Sequence, residues 1–192
     1  MQADRGYNMI IMILVVGLGN PGKKYQKNRH NVGFRAIDEL RSSQHFASAR
    51  VIDRLAKQKP KDFVLAEPQT FMNKSGQAVK SLIQFYKAKP ENLWVVHDDI
   101  DLPLGEIKIS KNRGSAGHKG VQSIIDALKT KDFNRVRIGI CPKTGKSKNV
   151  EKFVLQNFTK QEEEILKESI PKTIDLLMSE INKVNKTQNY EV

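Results

Sequence analysis

Cysteine is nearly absent from this chain. Cys141 stands alone, which excludes a disulfide framework and a thiolate metal cluster and fits a reducing, cytoplasmic setting. Long apolar runs are missing as well: the stretch at 9–16 is too short to span a bilayer and lacks a small-residue cleavage site, so neither a membrane nor secretion is expected. There is no GxxxxGK phosphate loop and no GxSxG nucleophile elbow, which sets aside two common routes to phosphoryl and acyl transfer. Acidic residues are in deficit, with 21 Asp and Glu against 33 Lys and Arg and a formal net charge of +12. That balance favours a polyanionic partner, the alternative being a basic surface that only solubilises.

No repeat, low-complexity segment or Pro/Ser/Gly linker interrupts the 192 residues, a length suited to one domain. Strand signals fall at 11–17, 63–66, 93–97, 106–110 and 136–140, with a weaker one at 50–56. Helical stripes separate several of them: Val32, Ile37, Leu40; Val79, Leu82, Ile83, Tyr86; and Val121, Ile124, Ile125, Leu128. Thr159 and Glu162 have capping-box spacing before a long pattern from Ile165 to Ile181, which Pro171 should kink or restart. The class is α/β, a single globular domain. Residues 1–11 are expected to form an N-terminal extension, partly disordered, and 12–192 the domain itself.

The first strand ends in Gly17-Leu18-Gly19-Asn20-Pro21-Gly22, followed by Arg29-His30-Asn31. An amide and an imidazole thus leave the carboxyl end of a strand, where open α/β sheets bind ligands. The three glycines also spell GxGxxG, but Lys23 to Arg29 is too polar to pack under a pyrophosphate, and no acidic residue closes the next strand. His97-Asp98-Asp99-Ile100-Asp101 puts carboxylates where the apolar part of another strand runs out. A histidine used as general base needs a carboxylate on its other nitrogen, and His30 with Asp98 is the pair the pattern offers. Turn chemistry or a Mg²⁺ site are the competing readings of Asp99 and Asp101. Asn73, in Phe71-Met72-Asn73-Lys74-Ser75-Gly76, is either a helix N-cap or an oxyanion donor. With no activated Ser or Cys, the attacking group should be water and the reaction hydrolysis of an ester or amide.

Lys108, Lys111, Arg113, Lys119 and Arg137 flank Gly114-Ser115-Ala116-Gly117-His118-Lys119-Gly120, a glycine turn that opens a helix. Free backbone N–H groups and the helix dipole make such an end an anion site, or simply a capping loop with solvated lysines.

Taken together, these blocks, with Pro68-Gln69-Thr70 before Phe71, Leu102-Pro103 after Asp101, and Arg135-Val136-Arg137-Ile138-Gly139-Ile140, resemble bacterial-type peptidyl-tRNA hydrolases from Met12 to about Ile181. Each block is weakly specific; five in order and spacing are not. The resemblance implies a single α/β globule, catalytic over 12–192, whose mixed twisted sheet is flanked by helices on both faces, and hydrolysis of the ester between a nascent peptide and the 3′ end of tRNA released by ribosomal drop-off, by a monomer without cofactor or metal. It implies His30 as base, Asp98 as its orienter, and Asn20 and Asn73 as positioners of peptide and oxyanion. Tyr25, Phe71, Met72, Gly117 and Lys119 would bind the peptide, and Lys108, Lys111, Arg113 and Arg137 the tRNA. Two departures stand out. The family turn commonly reads Gly-His-Asn-Gly where this chain has Lys119, and the clamping lysine falls at Ser110, so Lys108 or Lys111 would substitute. A nicotinamide oxidoreductase and a non-catalytic RNA binder are the competing classes.

Overall fold

The computed structural model describes residues 12–43 and 63–188. Five strands, β1 (Ile13–Gly17), β2 (Phe63–Ala66), β3 (Leu93–Pro103), β4 (Ile107–Lys111) and β5 (Asn134–Cys141), form one sheet in the order β2-β1-β3-β5-β4. All neighbours are parallel except β4 and β5, which makes the sheet mixed. Helices α1 (Val32–Ser42), α2 (Ser75–Tyr86), α3 (Lys119–Leu128), α4 (Val150–Val154) and α5 (Lys160–Gln188) cover it.

Side-chain alternation along the strands assigns the two faces. Ile13, Val15, Trp94, Val96, Val136 and Ile138 pack with α1, α4 and α5, while Leu14, Val16, Val64, Leu93 and Val95 pack with α2 and α3. Because both faces are covered, β1 is apolar without interruption, as buried parallel strands are. The chain leaves β1 toward β2 on one side and β3 lies on the other, so the carboxyl ends of β1 and β3 flank a topological switch point.

The glycines of the GxGxxG string serve packing. A Cβ on Gly17 would strike the Gly33 carbonyl, and one on Gly19 would enter the Phe34 ring. Only a short 3₁₀ turn at Lys23–Tyr25, not an α-helix, follows Gly22, so the dinucleotide reading loses its structural context. Gly76 has a similar role, since a Cβ there would collide with the Ser123 carbonyl where α2 crosses α3.

Two expectations change. Strand β3 does not stop at 97 but pairs with β5 as far as Pro103, across an irregularity after Asp99. Helix α5 runs through Pro171 as one element, opened by the expected capping box: Thr159 N–H donates to Glu162 Oε2 at 2.7 Å and Glu162 N–H to Thr159 Oγ1 at 3.3 Å. The strand expected at 50–56 and the N-terminal extension at 1–11 lie outside the described residues.

Glu67, just past β2, faces Asp38 and Arg41 of α1. Arg41 Nη1 lies 3.1 Å from Glu67 Oε1 without hydrogen-bond alignment. Burial and the Asp38 charge push the Glu67 carboxyl up from 4.5 to about 7, against the pull of Arg41. The folded state therefore binds more protons than the unfolded chain between these values, so this contribution is full below 4.5 and lost as pH rises through 7. Urea unfolding should show Glu67→Gln retaining, at alkaline pH, on the order of 1–3 kcal/mol that the wild type loses. Identical pH slopes for the two proteins would overturn the assignment.

Candidate active site

A cavity of about 840 Å³ opens at the carboxyl ends of β1 and β3, lined by Asn20, His30, Met72, Asn73, Asp98 and His118 among others. His30 sits in a 3₁₀ turn, Arg29–Asn31, directly before α1. Its Nδ1 lies 2.9 and 3.0 Å from the two oxygens of Asp98. Since the ionised carboxylate only accepts, Nδ1 carries the proton and Nε2 is left as a bare acceptor.

A second imidazole completes this arrangement. His118 Nε2 donates to Asp98 Oδ1 at 3.0 Å, and its Nδ1 accepts from the Gly120 and Val121 N–H groups at 3.2 Å each. His118 is thus the N-cap of α3 and a neutral tautomer fixed at both nitrogens. Burial alone would raise the Asp98 carboxyl, but His30 and His118 hold it far below the usual carboxylate range. His97, which stacks on His118, is driven well below the usual imidazole range by burial and then by His118.

His30, Asp98 and His118 offer ligand atoms within 4.8 Å of one another, yet the set does not fit a metal ion. His118 Nε2 must keep its proton while Nδ1 accepts two amides, and Asp98 Oδ1 already receives both rings. Asp99 and Asp101, read from sequence as turn or Mg²⁺ candidates, pair with Arg137 and Lys146, and Asp99 Oδ1 also accepts from the Asp101 N–H at 2.8 Å, the local bond that turn chemistry makes.

Asn20 is held at three points. Its backbone N–H donates to Asn31 Oδ1 at 3.1 Å, its carbonyl accepts from Asn31 Nδ2 at 2.9 Å, and its Oδ1 accepts from Met72 N–H at 2.9 Å. Only the Nδ2 protons remain for the cavity. Asn73 is exposed at the cavity and caps nothing, since neither the 3₁₀ turn Met72–Lys74 nor α2 has a side-chain cap. Tyr25 meets Phe71 edge-on at 6.4 Å between centroids, and both line the cavity with Met72 and Gly117. Ser115, at the rim, gives its hydroxyl proton to Gln122 Oε1 at 2.7 Å.

The cations divide. Lys119 Nζ pairs with Glu151 of α4 at 2.7 Å, and the Lys119 hydrogen bond lowers the Glu151 carboxyl. Lys108 and Lys111 on β4 are half-exposed beside Glu106 and Asp132, and Arg113 is exposed. Arg137 is buried, its Nε donating to Asp99 Oδ2 at 2.7 Å. Arg135, on the same face of β5, is also buried and reaches the Gly114 carbonyl at 2.9 Å.

The family model described as Peptidyl-tRNA hydrolase matches residues 14–191. This chain belongs to the peptidyl-tRNA hydrolase family. The peptidyl-tRNA hydrolase of Thermodesulfovibrio yellowstonii is 46% identical over 186 residues, 93% of this chain and 97% of that protein. The peptidyl-tRNA hydrolase of Aquifex aeolicus is 46% identical over 172 residues, 88% of this chain and 89% of that one. The crystal structure of peptidyl-tRNA hydrolase from Acinetobacter baumannii superposes with a TM-score of 0.74 at 29% identity over 96% of each chain. No described helix is long and apolar enough to cross a membrane.

As a peptidyl-tRNA hydrolase family member, the chain brings together at one cavity Asn20, Tyr25, His30, Phe71, Met72, Asn73, Asp98, Gly117 and Lys119, as its sequence suggested. Arg137, expected among the outward cations, is engaged inside by Asp99. Two partners escaped the sequence reading. His118 was seen only as part of a glycine turn, and Asn31 only as a neighbour of His30; a Gly-His pair opening a helix and an Asn after the base were the signals available. His118→Ala should cost about 1–2 kcal/mol in urea unfolding, because it removes a helix cap and one donor to a buried carboxylate. His118→Asn, which restores an acceptor for the two amides, should recover part of that loss. Equal stability of the Ala variant and wild type would show that the imidazole is not the cap.

Proposed function

We propose that this chain hydrolyses the ester joining a peptide, or an N-blocked amino acid, to the 3′ end of tRNA. The observation that carries the reading is the His30 Nδ1 contact with Asp98 at 2.9 Å, in a cavity without an activated Ser or Cys. Water bound at His30 Nε2 gives up a proton to the imidazole as its oxygen adds to the ester carbonyl. Asp98 stabilises the imidazolium, and the Nδ2 groups of Asn20 and Asn73 donate to the developing oxyanion. Collapse breaks the ester bond, and the departing ribose oxygen takes the proton back from His30. The products are a peptide carboxylate and free tRNA, so the reaction recycles tRNA lost from ribosomes by drop-off. The enzyme acts as a cytoplasmic monomer and needs no Lewis acid.

His30→Ala, folded, should lower the release of tRNA from N-acetyl-aminoacyl-tRNA by about 10²–10⁴-fold. Asp98→Asn should lower kcat with tRNA affinity retained, and EDTA should leave the wild-type rate unchanged. Near-normal turnover by His30→Ala would end the mechanism, and protection of the substrate without consumption would favour a pure RNA binder.

The Lys108, Lys111 and Arg113 side chains lie at the surface, open to tRNA phosphates, the first two in solvent-screened pairs with Glu106 and Asp132, whereas Arg137 is buried against Asp99. Replacing any of the first three with Gln should reduce the salt slope of tRNA binding by up to about one unit. Arg137→Gln should change the slope less and the folding stability more, because it strands a buried Asp99. A full unit lost with Arg137→Gln would show that Arg137 turns outward to phosphate.

A further inference from the structure

The residue beside the base is a buried arginine. Arg29 is 4% exposed, and its guanidinium lies 4.2 Å from the Phe153 ring centroid and 5.4 Å from that of Phe158. Nη1 donates to the Asn157 carbonyl at 2.9 Å and Nη2 to Glu162 Oε2 at 2.6 Å. The backbone beside it is tied to the same place. Arg29 N–H donates to the Gln156 carbonyl at 3.0 Å and Phe158 N–H to that of Lys27 at 3.2 Å, while Asn28 Nδ2 reaches Asn157 Oδ1 at 2.7 Å.

Residues 156–158 join α4 to α5, and α4 supplies Val150, Glu151 and Val154 to the lining of the cavity that holds His30. Glu162, the acceptor, belongs to the capping box that starts α5. Burial works against its charge, but the bonds from Arg29 and from the Thr159 N–H keep its carboxyl below the usual range. The strap therefore fixes two things in one frame: the turn that carries the imidazole and the α4 part of the cavity lining. Catalytic geometry tolerates about 0.5 Å and 10–20° of error.

Resting on the hydrolytic reading above, we propose that Arg29 is a positioning residue that holds His30 in register with the α4 wall through Glu162, Asn157 and the Phe153 ring. Arginine is required because one planar group must stack on the ring and donate along two directions at once, which an ammonium cannot do.

The test compares wild type, Arg29→Lys and Glu162→Gln on N-acetyl-aminoacyl-tRNA, beside the NMR resonance of the His30 Nδ1–H proton shared with Asp98. Lysine keeps the charge opposite Glu162 but loses the stack and the Asn157 bond. Arg29→Lys is expected to lower kcat by about 10–100-fold with KM within about twofold, and to shift or broaden the Nδ1–H resonance. Glu162→Gln, which keeps an acceptor for Arg29, should recover most of the rate. A folded Arg29→Lys protein with wild-type kcat and an unmoved resonance overturns the proposal. If that variant does not fold, Glu162→Ala takes its place under the same two criteria. A wild type that does not hydrolyse the substrate would defeat the hydrolytic reading instead, and the resonance, which needs no substrate, would still decide whether Arg29 sets the imidazole.

Discussion

Asp98 is a charge in a place that water barely reaches: its side chain is 3% exposed. A lone carboxylate there would take up a proton rather than stay ionised. It stays ionised because His30 and His118 both aim N–H groups at it. Each imidazole reaches that spot only because another element delivers it. The turn after β1 brings His30, the start of α3 brings His118, and the extended second half of β3 brings the carboxylate itself. The switch point between β1 and β3 makes room for all three. Moving any one of these elements would unbalance the charge, so the packing of the sheet and the electrostatics of the site are a single constraint.

The parts governed by local rules were readable. Short apolar runs located β1 and β2, helical stripes located α2 and α3, and the Thr159 to Glu162 spacing marked the start of α5. The parts that depend on contacts between distant segments were not. The continuation of β3 through Asp98, Asp99 and Asp101 was hidden because the apolar pattern stops where the strand begins to use its polar side chains. Those side chains are met by His30, Arg137 and Lys146, which lie far away in sequence. Arg137 looked like a surface cation by composition. Its strand register, opposite His97 and beside Asp99 on β3, turns it inward. His118 resembled one more member of a basic glycine turn, since nothing local says that its ring reaches a carboxylate 20 residues earlier.

The basic character of the chain also divides into two populations. Lys108, Lys111 and Arg113 present charge outward at little energetic cost, since exposed pairs contribute about 0–1 kcal/mol. Arg29, Arg135 and Arg137 are buried, and they act as struts that hold turns and strands at fixed distances. Lys119 is intermediate: it lines the cavity and shares its charge there with Glu151 of α4.

The bond from Arg29 to Glu162 spans 133 residues of sequence. During synthesis, the turn that carries His30 emerges early, while the helix that anchors it emerges near the end. Contacts between such distant segments form late, because the loop they close must be ordered first. A chain still attached to the ribosome through its last quarter would hold most of its sheet but would lack the strap. On the proposed role of Arg29, the imidazole therefore gains its frame only after the segment at 156–162 has emerged, long after His30 itself.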